Sequence, residues 1–297
     1  MQDAFLGILH IFLHFFTFSW YILFLGGFSV KNTSIGFIGG GALAGALIKG
    51  IAGKLVENPA NIYVSDHKQE RCDELHATYG VTAAVGAENF LSKADILVLA
   101  VKPKDARAAM QEVCGSVRGD AIIISVVAGM PLSVIEAYFP SQPVYRVMPN
   151  TPQAVGCGMA AYTAGTHAQD EATRQVHELW SSVGLALQVE ERLMDAVTGL
   201  SGSGPAYAFL MIDALADGGV AAGLPRQAAI RMAAQTLLGS AKMVLETGLH
   251  PDVLRDQVTS PAGTTIAGVR ALEKAGLRSA LIEAVLAATE RSEKLGK

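Results

Sequence analysis

Cysteine is scarce. Cys72, Cys114 and Cys157 are the only three in 297 residues, far apart and odd in number. That pattern excludes a disulfide framework and reads as the reduced thiols of a cytosolic protein. Cys72 and His76 can share one helix face, yet two ligand-type residues without a third are packing residues, and no metal is expected. HExxH, paired CxxC and Walker-type lysine motifs are missing, so zinc-hydrolase and P-loop readings lapse. Basic clusters are missing too. With a net charge of -4, nucleic acid is not an expected partner. Charged residues reach only 17% against 51% hydrophobic, which excludes a disordered chain, and the length suggests two domains.

Beyond Asp3 the N-terminus lacks charged residues. From Ala4 to Val30 there is no Asp, Glu, Lys or Arg, and Phe, Leu and Ile dominate. By length and apolarity this stretch qualifies as a membrane span, with Lys31 and later lysines keeping the rest cytoplasmic. Asp3 stands where a signal peptide carries basic residues, and no A-x-A-like site follows. The reading adopted is an extension over residues 1–31, as from a misplaced start codon, on a cytoplasmic protein. Membrane tethering through residues 4–30 is the alternative.

What is present begins at Ile35. An apolar run leads into Gly39-Gly40-Gly41 and out into an Ala/Leu-rich helical pattern ending near Leu55. Gly39, Gly41 and Ala44 fit the strand–turn–helix fingerprint G-x-G-x-x-[GA] of dinucleotide-binding folds. Gly39 lets the chain turn, Gly41 lets backbone N–H groups approach a pyrophosphate, and Ala44 lets the helix lie close on the strand. The helix N-terminus at Ala42 and Leu43 then points its partial positive charge at phosphate. A plain tight corner before a core helix has the same pattern, so the remaining chain has to decide.

Asn61–Ser65 reads as a second strand, followed by Asp66-His67-Lys68 and a helix over Gln69–Tyr79. An acid at this strand end suits a free ribose 2′-hydroxyl, whereas basic or hydroxyl neighbours suit a 2′-phosphate. Asp66 therefore speaks for NAD, and Ser65, His67 and Lys68 for NADP; the balance slightly favours NADPH. Ala94–Val101 and Ala121–Val127 are continuous apolar runs, as in parallel strands covered on both faces. A helix lies between them near Lys104–Val113, and another strand is expected at Val144–Met148. The fold class is α/β, a Rossmann-type doubly wound sheet over 32–190, followed by an all-helical domain over 191–297. The turns Gly39–Gly41, Lys102-Pro103, Ala128-Gly129 and Pro149-Asn150-Thr151-Pro152 at the carboxyl ends of strands form one cleft, and Ala100 and Val101 beside the second of them are expected at the cofactor too.

One more short strand, Leu185–Val189, precedes the helices. Ser203 reads as an N-cap with Pro205 in the first turn. From about Arg226, apolar residues at 230, 234, 237, 241 and 245 recur at helical spacing until Gly248 and Pro251. Helices over Thr265–Lys274 and Leu277–Lys297 close the chain. An apolar helical half of this kind is expected to pack against its own copy.

Four blocks make a resemblance specific. They are Gly36–Ala46, Leu97–Pro103, Arg146–Pro152 with Gly156–Met159, and the C-terminal pair Leu200–Tyr207 and Val258–Gly268. On these the chain resembles the pyrroline-5-carboxylate reductases over Ser34–Lys297. The resemblance implies NAD(P)H-dependent reduction of the cyclic imine 1-pyrroline-5-carboxylate to L-proline, the last step of proline biosynthesis. It implies Thr265 as the catalytic hydroxyl on the ring nitrogen, and Ser260, Gly263 and Thr264 as a carboxylate cradle. Met148, Pro149, Asn150 and Lys102 correspond to the nicotinamide side, and Asn89 to an adenosine-ribose contact. It further implies a homodimer in which the threonine loop reaches the partner's cofactor, with dimers assembling into a larger ring.

The residues themselves agree in part. Pro261 and Gly263 shape a turn before a helix whose first N–H groups and hydroxyls can hold a carboxylate, although an ordinary capped helix has the same pattern. Two residues depart from the family. Ala42 replaces a polar residue after the glycines, and Pro261-Ala262-Gly263 replaces Pro-Gly-Gly. If position 262 needs positive φ, alanine costs about 1–2 kcal/mol there. Among the alternatives is another imine reductase or a β-hydroxyacid dehydrogenase, which needs a catalytic lysine, yet no lysine occurs from Glu191 to Ala241. Tyr207 is the only substitute acid in that stretch. An alternative of another class is a membrane-anchored nucleotide sensor, resting on the apolar N-terminus alone.

Overall fold

The computed structural model describes residues 33–295. The apolar stretch at 4–30, and with it the tethering alternative, lies outside the described residues. Among them, no helix is long and apolar enough to cross a membrane.

The N-terminal half is one eight-stranded sheet. Its strands are β1 (Ile35–Ile38), β2 (Ile62–Ser65), β3 (Thr82–Ala84), β4 (Ile96–Leu99), β5 (Ile122–Ser125), β6 (Val144–Met148), β7 (Gly158–Ala164) and β8 (Gly184–Gln188). The order is β3-β2-β1-β4-β5-β6-β7-β8. β1 to β6 run parallel. β7 turns back antiparallel to β6, and β8 follows β7 in parallel, so the sheet is mixed rather than purely parallel.

Five helices cover this sheet: α1 (Ala42–Ile51), α2 (Gln69–Tyr79), α3 (Pro103–Val113), α4 (Leu132–Tyr138) and α5 (Asp170–Ser181). The strand sequences explain the two covered faces. In β4, Ile96 and Val98 join a core with Leu47, Ile48 and Ile51 of α1 and Val176, Leu179 and Trp180 of α5. Leu97 and Leu99 point the other way, into a core with Ala106, Met110 and Val113 of α3 and Leu132 and Ile135 of α4. Alternate residues of one strand thus enter opposite cores, which is why the strand reads as an unbroken apolar run. Each such aliphatic side chain contributes about 1.5–3 kcal/mol by burial.

Differences from the sequence expectations have physical causes. α1 stops at Ile51 rather than near Leu55, because Ala52 turns extended and Gly53 takes φ +68°. Ser203 sits at the start of its helix with helical φ/ψ and no side-chain cap, because a π-helical turn, Thr198–Gly202, already leads into it. β3, β7, α4 and α5 were not among the expected elements. β7 is an Ala/Gly-rich strand, GMAAYTA, without the Ile/Leu/Val run of β4 and β5.

Residues 191–295 are helical: α6 (Met194–Val197), α7 (Gly204–Ala221), α8 (Arg226–Thr247), α9 (Pro251–Gln257), α10 (Thr264–Lys274) and α11 (Leu277–Leu295). α8 ends where expected, with Gly248 in the left-handed region. α7 and α8 pack on each other at Gly219, where a Cβ would lie 3.1 Å from Ala229 Cβ. Their other faces are bare. Phe209, Leu210 and Leu245 are 63%, 71% and 69% exposed. An apolar surface of this extent on two long helices marks an interaction face.

The sheet and the helical half are joined electrostatically. Arg146, on β6 and 6% exposed, lies 3.7 Å from Glu191 and 3.8 Å from Asp195. Glu191 also accepts from the Leu132 N–H at 2.6 Å, and Asp195 from the Ser292 hydroxyl at 2.7 Å.

Candidate active site

The glycine turn sits at the carboxyl end of β1, where the chain goes to β2 on one side and β4 on the other. This is the switch point at which such sheets bind ligands. Gly39 has φ +99°, and a Cβ there would fall 2.7 Å from the Ala100 carbonyl oxygen, so only glycine fits. Its N–H donates to the Ser65 carbonyl at 2.7 Å, while the Ala100 N–H donates to Ile38 at 2.8 Å. These bonds bring Gly39–Ala44, Ser65–Lys68 and Ala100–Pro103 to one rim.

Gly41 is exposed, and a Cβ on it would meet nothing within 4 Å. It occupies the N-cap of α1 without a side chain, leaving the first amides of the helix uncapped. Open space beside uncapped amides fits the pyrophosphate of a dinucleotide. Ala42 is exposed beside Gly41, Leu43 is half-buried, and Ala44 is buried against the sheet.

Asp66 is held inward. One carboxylate oxygen accepts from the Gly40 N–H at 2.8 Å; the other accepts from the Lys68 N–H at 3.1 Å and lies 3.2 Å from His67 Nδ1. His67 and Lys68 are exposed at the same strand end. Asn89 is exposed just beyond β3, next to Phe90, whose ring stacks on Tyr63 at 5.5 Å. Lys102 is exposed at the N-cap of α3, with Pro103 in its first turn.

Met148, Pro149 and Asn150 leave the end of β6 toward the helical half. The Asn150 side chain is engaged within the protein: it donates to the Ser201 carbonyl at 3.1 Å and accepts from the Met159 N–H at 2.9 Å. It thereby ties this segment to β7 and to the π-helical turn. A Cβ on Gly202 would lie 2.6 Å from Met148 Cε, so the Gly-Ser-Gly block gives the methionine room. Two residues outside the sequence reading also matter here. Gln153, 2% exposed, donates to the Leu43 carbonyl at 2.9 Å and holds this loop on α1. Arg71 of α2 donates from Nε to the Gly40 carbonyl at 2.6 Å. Neither belongs to a motif; a polar residue that supports a turn from a distant helix carries no local pattern.

The Ser260–Thr265 loop stands on the helical half, where α10 packs on α11. Ala262 has φ +56°, the only non-glycine residue with positive φ among those described, so the cost anticipated for alanine applies. Gly263 is required for another reason: a Cβ there would meet the Ser260 hydroxyl at 2.3 Å. Gly263 is also the N-cap of α10 and offers no side-chain cap. The hydroxyls of Thr198, Thr236, Thr247, Thr259 and Thr289 each donate to the carbonyl four residues back. Thr264 and Thr265, in the first turn of α10, make no such bond among the described residues. Their hydroxyls stay available beside uncapped amides, an arrangement that holds a carboxylate and one further polar atom. Tyr207 differs: its hydroxyl points at the Gly199 and Ala284 carbonyls, both at 3.2 Å, which ties it to structure rather than to acid catalysis.

A doubly wound sheet with an open glycine turn at its switch point, continued by an apolar helical region, is the architecture of a dinucleotide-binding fold. Comparisons with known proteins narrow this. Residues 34–129 match the family model described as NADP oxidoreductase coenzyme F420-dependent, and residues 191–295 match the one described as pyrroline-5-carboxylate reductase dimerisation. A pyrroline-5-carboxylate reductase of Methanosarcina acetivorans is 44% identical over 269 residues, covering 90% of this chain and 100% of the relative. The solved structure of a Coxiella burnetii pyrroline-5-carboxylate reductase superposes with TM-score 0.82 at 32% identity, covering 90% of this chain and 99% of that one. That of the Plasmodium falciparum enzyme with NADP bound gives 0.81 at 29%, with the same coverage. The chain belongs to the pyrroline-5-carboxylate reductase family, oxidoreductases that act on the CH–NH group with NAD(P)H.

Proposed function

We propose that 1-pyrroline-5-carboxylate is held by the Ser260–Thr265 loop and reduced to L-proline by NADPH in preference to NADH. The observation that carries this reading is the pair of unspent hydroxyls, Thr264 and Thr265, on a helix whose N-cap is glycine. Uncapped amides there, with Ser260, hold the substrate carboxylate. That clamp fixes one side of the five-membered ring and leaves the ring nitrogen to Thr265. When bound, the dihydronicotinamide supplies a hydride to the imine carbon. The C=N electron pair moves onto nitrogen, and the protonated imine becomes a neutral amine. The Thr265 oxygen accepts the N–H hydrogen bond and keeps the ring oriented throughout. A protonated imine is already electrophilic, so positioning suffices where a carbonyl reductase needs a strong acid.

Met148, Pro149 and Lys102 border the nicotinamide end, and Gly39–Ala44 the pyrophosphate end. Asn150 acts by holding the Met148 segment in place. Asn89 is assigned to the adenosine ribose. The NADPH preference is supported by the inward engagement of Asp66 and by exposed Lys68 and His67 beside Ser65. The apolar faces of α7 and α8 support a homodimer in which each loop serves the partner's cofactor cleft, with dimers assembling into a larger ring. The free thiols at Cys72, Cys114 and Cys157 suit a cytoplasmic setting.

The test is substrate-dependent oxidation of NADPH and NADH, followed by absorbance on the full-length protein. The expected result is turnover with both and a kcat/KM for NADPH up to about fivefold above that for NADH, the scale of one exposed charge contact. Equal values refute the preference, and no turnover with either refutes the substrate assignment.

A further inference from the structure

The Gly40 peptide groups are gripped from both sides. Its N–H donates to Asp66 Oδ2 at 2.8 Å, and its carbonyl accepts from Arg71 Nε at 2.6 Å. Arg71 is itself steadied by Glu74, whose Oε2 lies 2.7 Å from Nη1. The guanidinium lies directly against position 45 of α1: a Cβ on Gly45 would fall 2.6 Å from Arg71 Nη2, with the next neighbour at 3.9 Å, so the end of that side chain would have to move. No peptide bond among the described residues is cis. A trans peptide sends its carbonyl and its N–H in opposite directions. Drawing the Gly40 carbonyl inward to Arg71 therefore turns the Gly41 N–H outward, on the exposed side of the turn.

We propose that Arg71 is a positioning residue of the dinucleotide site, fixing the Gly40–Gly41 peptide so that the Gly41 N–H faces the pyrophosphate. The proposal rests on the reading of this turn as the pyrophosphate site. Arg71 acts through the peptide and not through its charge, which is what a test can separate. Lysine keeps the charge but loses the Nε contact and the planar fork. Alanine at position 45 leaves Arg71 in the sequence but displaces the Nη2 end of its guanidinium, which is expected to strain the Nε bond to Gly40, while improving helix propensity.

The experiment measures NADPH affinity by fluorescence titration for the full-length wild type, Arg71→Lys, Arg71→Met and Gly45→Ala, with thermal unfolding on each. The expected result is dinucleotide binding about tenfold weaker in all three, with kcat at saturating cofactor within about twofold of wild type. Gly45→Ala should unfold no earlier than wild type, which separates lost positioning from lost structure. Wild-type affinity in Arg71→Lys would assign the effect to charge and overturn the proposal, as would wild-type affinity in Gly45→Ala. A wild type that binds no dinucleotide would instead overturn the pyrophosphate reading beneath it.

Discussion

Thr265→Val is expected to lower kcat on 1-pyrroline-5-carboxylate by about 10- to 100-fold while leaving the KM for NADPH near its wild-type value. A hydrogen bond to a charged group is worth about 1.5–3 kcal/mol, and that is the interaction lost at the ring nitrogen. Valine has nearly the shape of threonine, and the Thr265 hydroxyl makes no hydrogen bond among the described residues. The fold therefore has little to lose. Steady-state kinetics of valine and serine variants check the point, because serine keeps a hydroxyl and should restore most of the rate. A valine variant with an unchanged rate would remove Thr265 from the mechanism. A raised KM for NADPH with unchanged kcat would move it to the cofactor.

The second large effect concerns the joint between the sheet and the helical half. Replacing both Glu191 and Asp195 by alanine is expected to destabilise the protein by about 3 kcal/mol, toward the low end for a buried charge left without its partner. Arg146 is buried; desolvation pushes its pKa down, while the carboxylates of Asp195 and Glu191 push it back up. A guanidinium does not deprotonate in proteins, so without those carboxylates it stays charged in an apolar setting. The carboxylates themselves are 39% and 31% exposed, which places the effect below that of a fully buried cluster. Differential scanning calorimetry should show the transition falling by roughly 5 °C for a chain of this size. The converse change, Arg146→Met, should cost less, because half-exposed carboxylates regain water. A double variant that melts within two degrees of wild type would contradict this view of the joint.

Sequence alone carried the parts of the fold whose cause is local. The β4 and β5 cores announce themselves because strands covered on both faces are apolar without interruption. The α8 boundary is legible in Gly248 and Pro251, since glycine reaches φ +64° and proline cannot continue the helix. The loop at Ala262 was legible as well: its departure from Pro-Gly-Gly raised the question of positive φ, and the structure has φ +56° there. What escaped is cooperative in origin. β7 is a strand because β6 and β8 pair with it, not because Gly158–Ala164 favours extension. Its reversal of direction has no signature in its own residues. Arg71 and Gln153 reach the glycine turn from elsewhere in the chain, and only the packed structure shows which carbonyls they meet.

The site shows the same division. Gly39 is forced both by its φ and by the Ala100 carbonyl 2.7 Å from any Cβ, and the fingerprint records that constraint. Asp66 was read from its position at the end of β2 as a ribose ligand. The structure adds that its oxygens already serve the Gly40 and Lys68 amides. Asn150, similarly, spends its amide on Ser201 and Met159. These residues shape the cleft through the backbone they hold.

The central claim is direct transfer of hydride from the cofactor at the Gly39–Ala44 turn to an imine held by the Thr265 loop. Following deuterium tests it most directly. Full-length protein would be given 1-pyrroline-5-carboxylate and NADPH carrying deuterium at both C4 positions of the nicotinamide, and the product examined by mass spectrometry and NMR. The predicted result is L-proline carrying one deuterium, for each NADPH oxidised, on the nitrogen-adjacent ring carbon that does not bear the carboxylate. Proline without deuterium, or NADPH oxidised without proline formed, would contradict it.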